Sequence, residues 1–319
     1  MSDLLFAPQP VFTRVERTGP ACVRRTETIR PGMCGPLQSF VATVGDWTWE
    51  AVSTLCGLDV FSARDGDGNP SYLAFYYYRI TGGGDLSPAD LTFGDRVTVD
   101  SRVFDAGRRS VLTVHRLSRE NGPEPPPLEL EELHGRPRPG CLYVENLNVW
   151  ITRGAAGGNT GLIRSAPVGF AHEHLPKVPE QYAPRFLCAR ARDDGAFPHH
   201  GPPLGPVAPS MRIDHRVDPT RDVNGVGLLY FASFFSLAEG AQLLQWRSRG
   251  LEDRAFLGRR LLDARICYLG NADLDARLAV DVATGRSGNG SARETSDLVV
   301  RDLGAARTIA VASLTHRLA

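Results

Sequence analysis

The chain has 319 residues, room for one large core or two of ordinary size, and its 36 basic residues balance 36 acidic ones. That balance excludes the global field that would draw a protein to nucleic acid or to an anionic membrane. The longest apolar run, residues 225–238, is too short to cross a bilayer, and six scattered cysteines without Cys-x-x-Cys or zinc spacing read as reduced thiols, so a cytoplasmic protein with no metal is expected.

The first motif is the turn Ile29-Arg-Pro-Gly-Met-Cys-Gly-Pro36, which leads into an apolar helical segment over 39–45 and on to Trp47-Thr-Trp-Glu50. Residues 72–80 are aromatic and read as a strand between Asn69-Pro70 and Gly82-Gly-Gly84. Strand alternation puts Tyr72, Tyr76 and Tyr78 on one face and Tyr77 on the other. Residues 95–103 and 110–117 form a hairpin about Ala106-Gly107, and 142–151 add a further strand. Segments 119–140, 154–161 and 195–209 are rich in Pro, Gly or charge and read as loops or linkers.

The pattern then recurs. The turn over 217–226 leads into the apolar helical residues 228–235 and Leu237-Ala-Glu239, followed by strands at 260–268, 276–282, 297–300 and 306–316. A repeat of this size makes the unit half a chain. Each unit reads as a strand, one long helix and then antiparallel strands, the α+β hot-dog arrangement, so the chain is expected to be a double hot-dog. The boundaries are an N-terminal hot-dog at 1–165, a linker or loop segment at 166–209 and a C-terminal hot-dog at 210–319. A cleft between the units is the expected place for chemistry, and pairing along sheet edges points to a homodimer.

Helix-start N–H groups are unpaired and partly positive, suited to a developing thioester oxyanion. Gly35, and in the second copy Gly225 and Gly227, either admit a ligand to the main chain or only shape tight turns. Asp222-x-Asn224-Gly225 is similar to the Asp-x-Asn-Gly-His-x-Asn turn of hot-dog thioesterases, with Val226 and Leu228 where His and Asn would stand. Asp222 is a candidate base or water-orienting group. His199 and His200 read as solvated loop residues, and there is no Gly-x-Ser-x-Gly nucleophile motif. A tyrosine beside an oxyanion hole can donate a hydrogen bond or, with its ordinary pKa of about 10 lowered by a neighbour, act as nucleophile.

Four motifs together, Pro31-Gly-Met-Cys-Gly-Pro36, Gly45-Asp-Trp-Thr-Trp-Glu50, Pro70-Ser-Tyr-Leu-Ala-Phe-Tyr-Tyr-Tyr78 and Asn224-Gly-Val-Gly-Leu-Leu-Tyr-Phe-Ala232, resemble the bifunctional methylmalonyl-CoA acyltransferase/decarboxylase family of leinamycin-type polyketide biosynthesis. The resemblance implies that methylmalonyl is taken from CoA, carbon dioxide is lost and propionyl is delivered to the phosphopantetheine of an acyl carrier protein. CoA would then be substrate rather than resident cofactor. The acyl-accepting tyrosine of that family matches Tyr72, with Tyr230 in reserve. Tyr72, Gly35, Asn224 and Asp222 are the candidate catalytic residues, and Met33, Cys34, Trp47 and Tyr230 the candidate contacts to the CoA thioester. Phe40, Trp47 and Phe75 are candidates for an apolar wall, and Arg24-Arg25 and Arg108-Arg109 for a patch that guides phosphates and an acidic carrier. The competing readings are a thioesterase using Asp222 and a non-catalytic acyl-binding module.

Overall fold

Apolar residues recur at helical spacing over 37–56, and this segment forms the 20-residue helix α1 (Leu37–Cys56), which buries Phe40, Val41, Val44, Trp47, Ala51, Val52 and Leu55. It stops at Gly57, which is held left-handed at φ 67°. The computed structural model describes residues 12–82, 85–120, 125–154, 157–199, 203–287 and 293–318. In the first half, α1 follows β1 (Thr13–Gly19) and β2 (Cys22–Thr28), and precedes β3 (Tyr72–Gly82), β4 (Arg96–Asp105), β5 (Ser110–Arg119), helix α2 (Leu130–His134), β6 (Cys141–Arg153) and β7 (Leu162–Arg164). Helix α3 (Pro184–Asp194) and β8 (Leu204–Pro206) connect to the second half: β9 (Met211–Arg216), helix α4 (Ser233–Ser248), helix α5 (Asp253–Leu257), β10 (Arg260–Tyr268), β11 (Arg277–Ser287), β12 (Arg293–Asp302) and β13 (Arg307–Arg317).

The strands form one antiparallel sheet in the order β1-β2-β4-β5-β6-β3-β10-β13-β12-β11-β8, with β7 on β6 and β9 on β11. Read outward from the β3–β10 seam, the halves run β3-β6-β5-β4-β2 and β10-β13-β12-β11-β9. In both, the strand after the helix lies at the seam and the strand before the helix lies at the far end of this five-strand run, with β1 added beyond β2 in the first half. The topology is therefore the same twice, and the two curled sheets join into one. Helices α1 and α4 share one core, in which Phe40, Val41 and Val44 cluster with Phe234, Phe235 and Ala238. On the other side of the sheet α2 and α3 contribute to a second cluster, with Leu130, Leu133, Cys188 and Ala191 beside Tyr77, Cys267 and Val311. The 166–209 segment is thus more than a connector, since it carries α3 across the back of the seam. His199 bonds Asp297 at 2.8 Å; His200 lies outside the described residues.

Three local features depart from the sequence pattern. The register of β3 against β6 slips between Phe75 and Tyr77, so Tyr76 is an extra, bulged residue. Alternation breaks there: Tyr78 turns into the helix-side core, while Tyr76 and Tyr77 belong to the opposite cluster. Second, α4 begins only at Ser233, because the side chain of Asn224 accepts the N–H groups of Val226 (3.2 Å) and Leu228 (3.0 Å) and folds the preceding residues into a tight turn. Third, Arg24 pairs with Asp100 at 2.8 Å and the buried Arg25 with Glu27 and Glu50, so neither belongs to a free basic patch.

Beneath α1 the interior is polar. His115 is fully buried, its Nδ1 2.8 Å from Ser101 Oγ and its Nε2 2.9 Å from Thr48 Oγ1, and Asn146 donates to the same hydroxyl. Burial pushes the imidazole down to about 3, so it is held neutral.

The two halves meet most closely where α1 faces the turn before α4. A Cβ on Gly45 would overlap the ring of Phe231, and that ring cannot retreat because it stacks on Phe75 with centroids 3.9 Å apart and lies against Tyr78 and Tyr230. Gly45→Ala would gain about 1 kcal/mol of helix propensity but suffer overpacking of about 1–3 kcal/mol. The expected net result is a lower thermal midpoint; a variant as stable as the parent would show that the contact yields.

At the opposite end of the helix pair, the half-buried Glu239 on α4 lies beside the main-chain N–H of Leu37 at the start of α1. Burial pushes its carboxyl up to about 7, opposed by Arg259 and by that N–H. The folded chain therefore holds this proton more tightly than the unfolded chain, whose glutamate titrates near 4.5. The associated stability is present below pH 4.5 and is lost as pH rises through 7, on the order of 3 kcal/mol at most. Glu239→Gln, which keeps an acceptor without charge, is expected to match the parent near pH 4.5 and exceed it at pH 8 in urea denaturation. A pH-independent difference would refute this assignment.

Candidate active site

The seam explains where the site lies. Strand β3 pairs with β6 over its whole length but with β10 only from Tyr77 to Thr81. Beyond Cys267, β10 turns away, and Leu269 and Gly270 both donate to Ile309 O. Where the two strands part, a cavity of about 450 Å³ opens, a volume typical of small-molecule sites.

Both halves build it. Gly45, Asp46 and Trp49 come from α1, residues 72–76 from β3, and Val149 and Ile151 from β6. The second half adds Asn224, Gly225, Val226, the run from Leu228 to Phe231, and the stretch from Tyr268 to Asn271. Asn159 ties the halves together beside it. Its Nδ2 donates to Gly227 O (2.7 Å) and Ala272 O (3.0 Å), and its N–H donates to Asp273 (2.7 Å). Arg153 reinforces this tie by donating to Val226 O at 2.6 Å.

Of the candidates from sequence, Tyr72, Asn224 and Tyr230 line this cavity together. Tyr72 also lines a neighbouring cavity of about 480 Å³ and so stands between the two. The guanidinium of Arg153 lies 6.0 Å from its ring centroid. Burial, and then the nearby carboxylate of Asp46, push the hydroxyl of Tyr230 up to about 12, which keeps it a proton donor. The side chain of Asn224 is committed to its own turn. Gly225 also lines the cavity, and its N–H and that of Phe231 have no hydrogen-bond partner among the described residues. Two cavity residues thus present unpaired amides of the kind that can stabilise an oxyanion.

The other candidates lie elsewhere. Asp222 is a turn former: its carboxylate accepts from His215 Nε2 (2.7 Å) and Asp218 N–H (2.8 Å), and its carbonyl accepts from Tyr230 N–H (2.7 Å). Met33, Cys34 and Gly35 sit in the turn ahead of α1, where the Cys34 thiol faces Arg30 O at 3.8 Å. They are not among the residues lining the cavity. The N–H of Leu37, which follows this turn, faces Glu239 rather than the cavity. Trp47 is buried in the core with Arg25 over its ring at 5.6 Å. Of the expected apolar wall, Phe75 lines the cavity, while Phe40 and Trp47 pack inside the core.

Sequence reasoning missed Asp46. It lines the cavity, has no hydrogen-bond partner among the described residues, and is exposed toward it, while partial desolvation by its neighbours raises its carboxyl above the ordinary carboxylate range. The available signal was its place beside Gly45, the point of closest approach to the second half. No group of three or more His, Cys, Asp or Glu among the described residues could hold a metal ion, and no described helix is long and apolar enough to cross a membrane.

Comparison with known proteins agrees with this architecture. The solved structures similar to this chain include a Lactobacillus plantarum protein described as an oleoyl thioesterase, with a TM-score of 0.59 and 10% identity over 94% of this chain and 98% of that one. The 12:0-ACP thioesterase of Umbellularia californica is similar with a TM-score of 0.55 and 12% identity, covering 95% of this chain and 100% of that one. An acyl-ACP thioesterase of Bacteroides thetaiotaomicron has a TM-score of 0.55 and 8% identity over 92% and 97%. At such identities the likeness is one of fold. No curated protein matches the sequence. The model of the LnmK N-terminal Hot Dog Fold domain matches residues 24–199, more than half of the chain, and the double hot-dog protein described here belongs to that family.

Proposed function

We propose that this chain takes methylmalonyl from CoA, releases carbon dioxide and delivers propionyl to the phosphopantetheine thiol of an acyl carrier protein. The observation that carries the reading is the placement of Tyr72 in one cavity with the unpaired N–H groups of Gly225 and Phe231 and the carboxyl of Asp46. The family match and the thioesterase folds support the handling of acyl thioesters.

The residues divide the work as follows. The hydroxyl oxygen of Tyr72 attacks the thioester carbonyl, its C–S bond breaks, and CoA leaves as the thiol with the phenolic proton. The bond from the α-carbon to the carboxylate then breaks, and its electron pair becomes the enolate of the acyl-tyrosine ester as carbon dioxide departs. The N–H groups of Gly225 and Phe231 hold the enolate oxygen; one such donor is typically worth about 2.7–4 kcal/mol. Asp46 in its acid form gives a proton to the α-carbon and regains one from solvent, and the carrier thiol displaces the propionyl group from Tyr72, its proton restoring the phenol. Apolar neighbours such as Phe75, Leu228 and Leu229 favour loss of the buried carboxylate as neutral carbon dioxide.

Tyr72→Phe is expected to lower carrier propionylation by about 10³-fold or more and to abolish any acyl adduct in intact-protein mass spectrometry. An adduct that persists in this variant removes Tyr72 as acceptor.

A second reading, thioester hydrolysis with water activated by Asp46, is favoured by the unpartnered carboxylate itself. The two readings differ in sign. As an acid, Asp46 must be protonated and the rate falls as pH rises through its pKa; as a base, the rate falls as pH drops through it. Asp46→Asn is expected to reduce formation of propionyl carrier protein by about 10²–10⁴-fold and to erase the alkaline limb. Free acid without carrier-bound product, with an acidic limb that this variant erases, would establish hydrolysis instead.

A further inference from the structure

The cavity contains a length of uncovered sheet edge. Over residues 72–76, β3 has β6 on one side and, among the described residues, no strand on the other, since pairing with β10 starts only at Tyr77. In an antiparallel pair, residues alternate between those that exchange hydrogen bonds with their partner and those whose N–H and C=O point outward. Trp150 is of the outward kind, because its N–H donates to Arg109 O (2.9 Å) and its O accepts from Ser165 N–H (3.1 Å). Its partner Leu73 therefore also points outward, toward the cavity. The Leu73 carbonyl confirms the direction by accepting Trp49 Nε1–H at 3.0 Å. Phe75, opposite Asn148, lies two residues along and has the same orientation. The cavity is thus edged by the N–H of Leu73 and by the N–H and C=O of Phe75, an arrangement that suits a ligand with amide groups spaced along an extended chain.

Charge points the same way. Arg164 and Arg307 line the same cavity, and neither pairs with a carboxylate among the described residues. Arg164 lies 5.4 Å from the ring centroid of Tyr76, and Arg307 is held by its bond to Asn271 O at 2.6 Å. The two supply positive charge to the lining of a slot whose long side is backbone edge.

We infer that the uncovered β3 edge at Leu73 and Phe75 receives the two amides of a phosphopantetheine arm as a partial added strand, with its phosphate toward Arg164 and Arg307. This rests on the acyl-thioester reading above and deepens it. The arm, common to CoA and to a carrier protein, would be recognised by main chain, so that one slot serves donor and acceptor alike. The acyl end then lies beside Tyr72, the first residue of the same strand.

The test uses S-propyl-CoA, a thioether that cannot transfer an acyl group, and S-propyl-phosphopantetheine with both amides replaced by esters. Binding is followed by calorimetry, and amide exchange is resolved to single residues by fragmentation mass spectrometry. The expected results are slowed exchange at Leu73 and Phe75 on binding S-propyl-CoA, and a loss of affinity of about tenfold or more for the diester relative to the S-propyl-phosphopantetheine diamide. If S-propyl-CoA binds while exchange at both residues is unchanged, or the diester binds as well as the diamide, the edge assignment falls and the acyl-thioester reading stands. If no S-propyl ligand binds, both fall together.

Discussion

The contact between Gly45 and Phe231 organises this molecule. A helix from one half approaches a turn from the other so closely that the helix can carry no side chain at that point. The aromatic ring accepted there is stacked from behind by Phe75 of the seam strand. Close-packed interiors transmit such constraints because no slack remains to absorb them. The position of the second-half turn is thereby fixed against α1 and β3, the two first-half elements that carry Asp46 and Tyr72. Groups far apart in sequence come to face one cavity because a single ring sets the distance between their supports.

The cavity arises from a failure of pairing. Over Tyr77–Thr81 the halves are joined by a continuous antiparallel ladder, and at the Tyr76 bulge they separate. A bulge bends and twists its strand, so one extra residue in β3 ends the seam and exposes the strand's free edge. Polar backbone left in this way is usually covered or blunted in folded proteins. Here Trp49 covers one carbonyl, and the remaining groups face the pocket.

Much of this was legible in the sequence. The period of 3.6 over α1 and the alternation of β4 and β5 are strong because each element buries one side and exposes less of the other. The repeat of turn, helix and strands gave the double hot-dog its outline. Tyr72, Asn224 and Tyr230 were chosen from motifs and do share a cavity. The unread parts have identifiable causes. One added residue at Tyr76 inverts the alternation after it, and nothing in a run of three tyrosines marks which is the extra one. The start of α4 was hidden because the apolar residues 228–232 suit a helix, whereas Asn224 and Asn271 draw Leu228 and Leu229 into a turn. Asp46 looks like an ordinary polar position of an amphipathic helix until the second half is laid against it. Asp222 was misleading for the opposite reason: in the fold its carboxylate meets a histidine and a main-chain amide of its own loop.

The half-buried Glu239 shows what duplication within one chain permits. In a dimer of identical single units, any side chain that closes one helix start must close its symmetry mate as well. Here the start of α1 has Glu239 of the opposite helix beside it, while the turn ahead of α4 opens onto the cavity that Asp46 also lines. Fusion has released the two ends from obeying one sequence, so that one became mortar and the other a vacancy for chemistry.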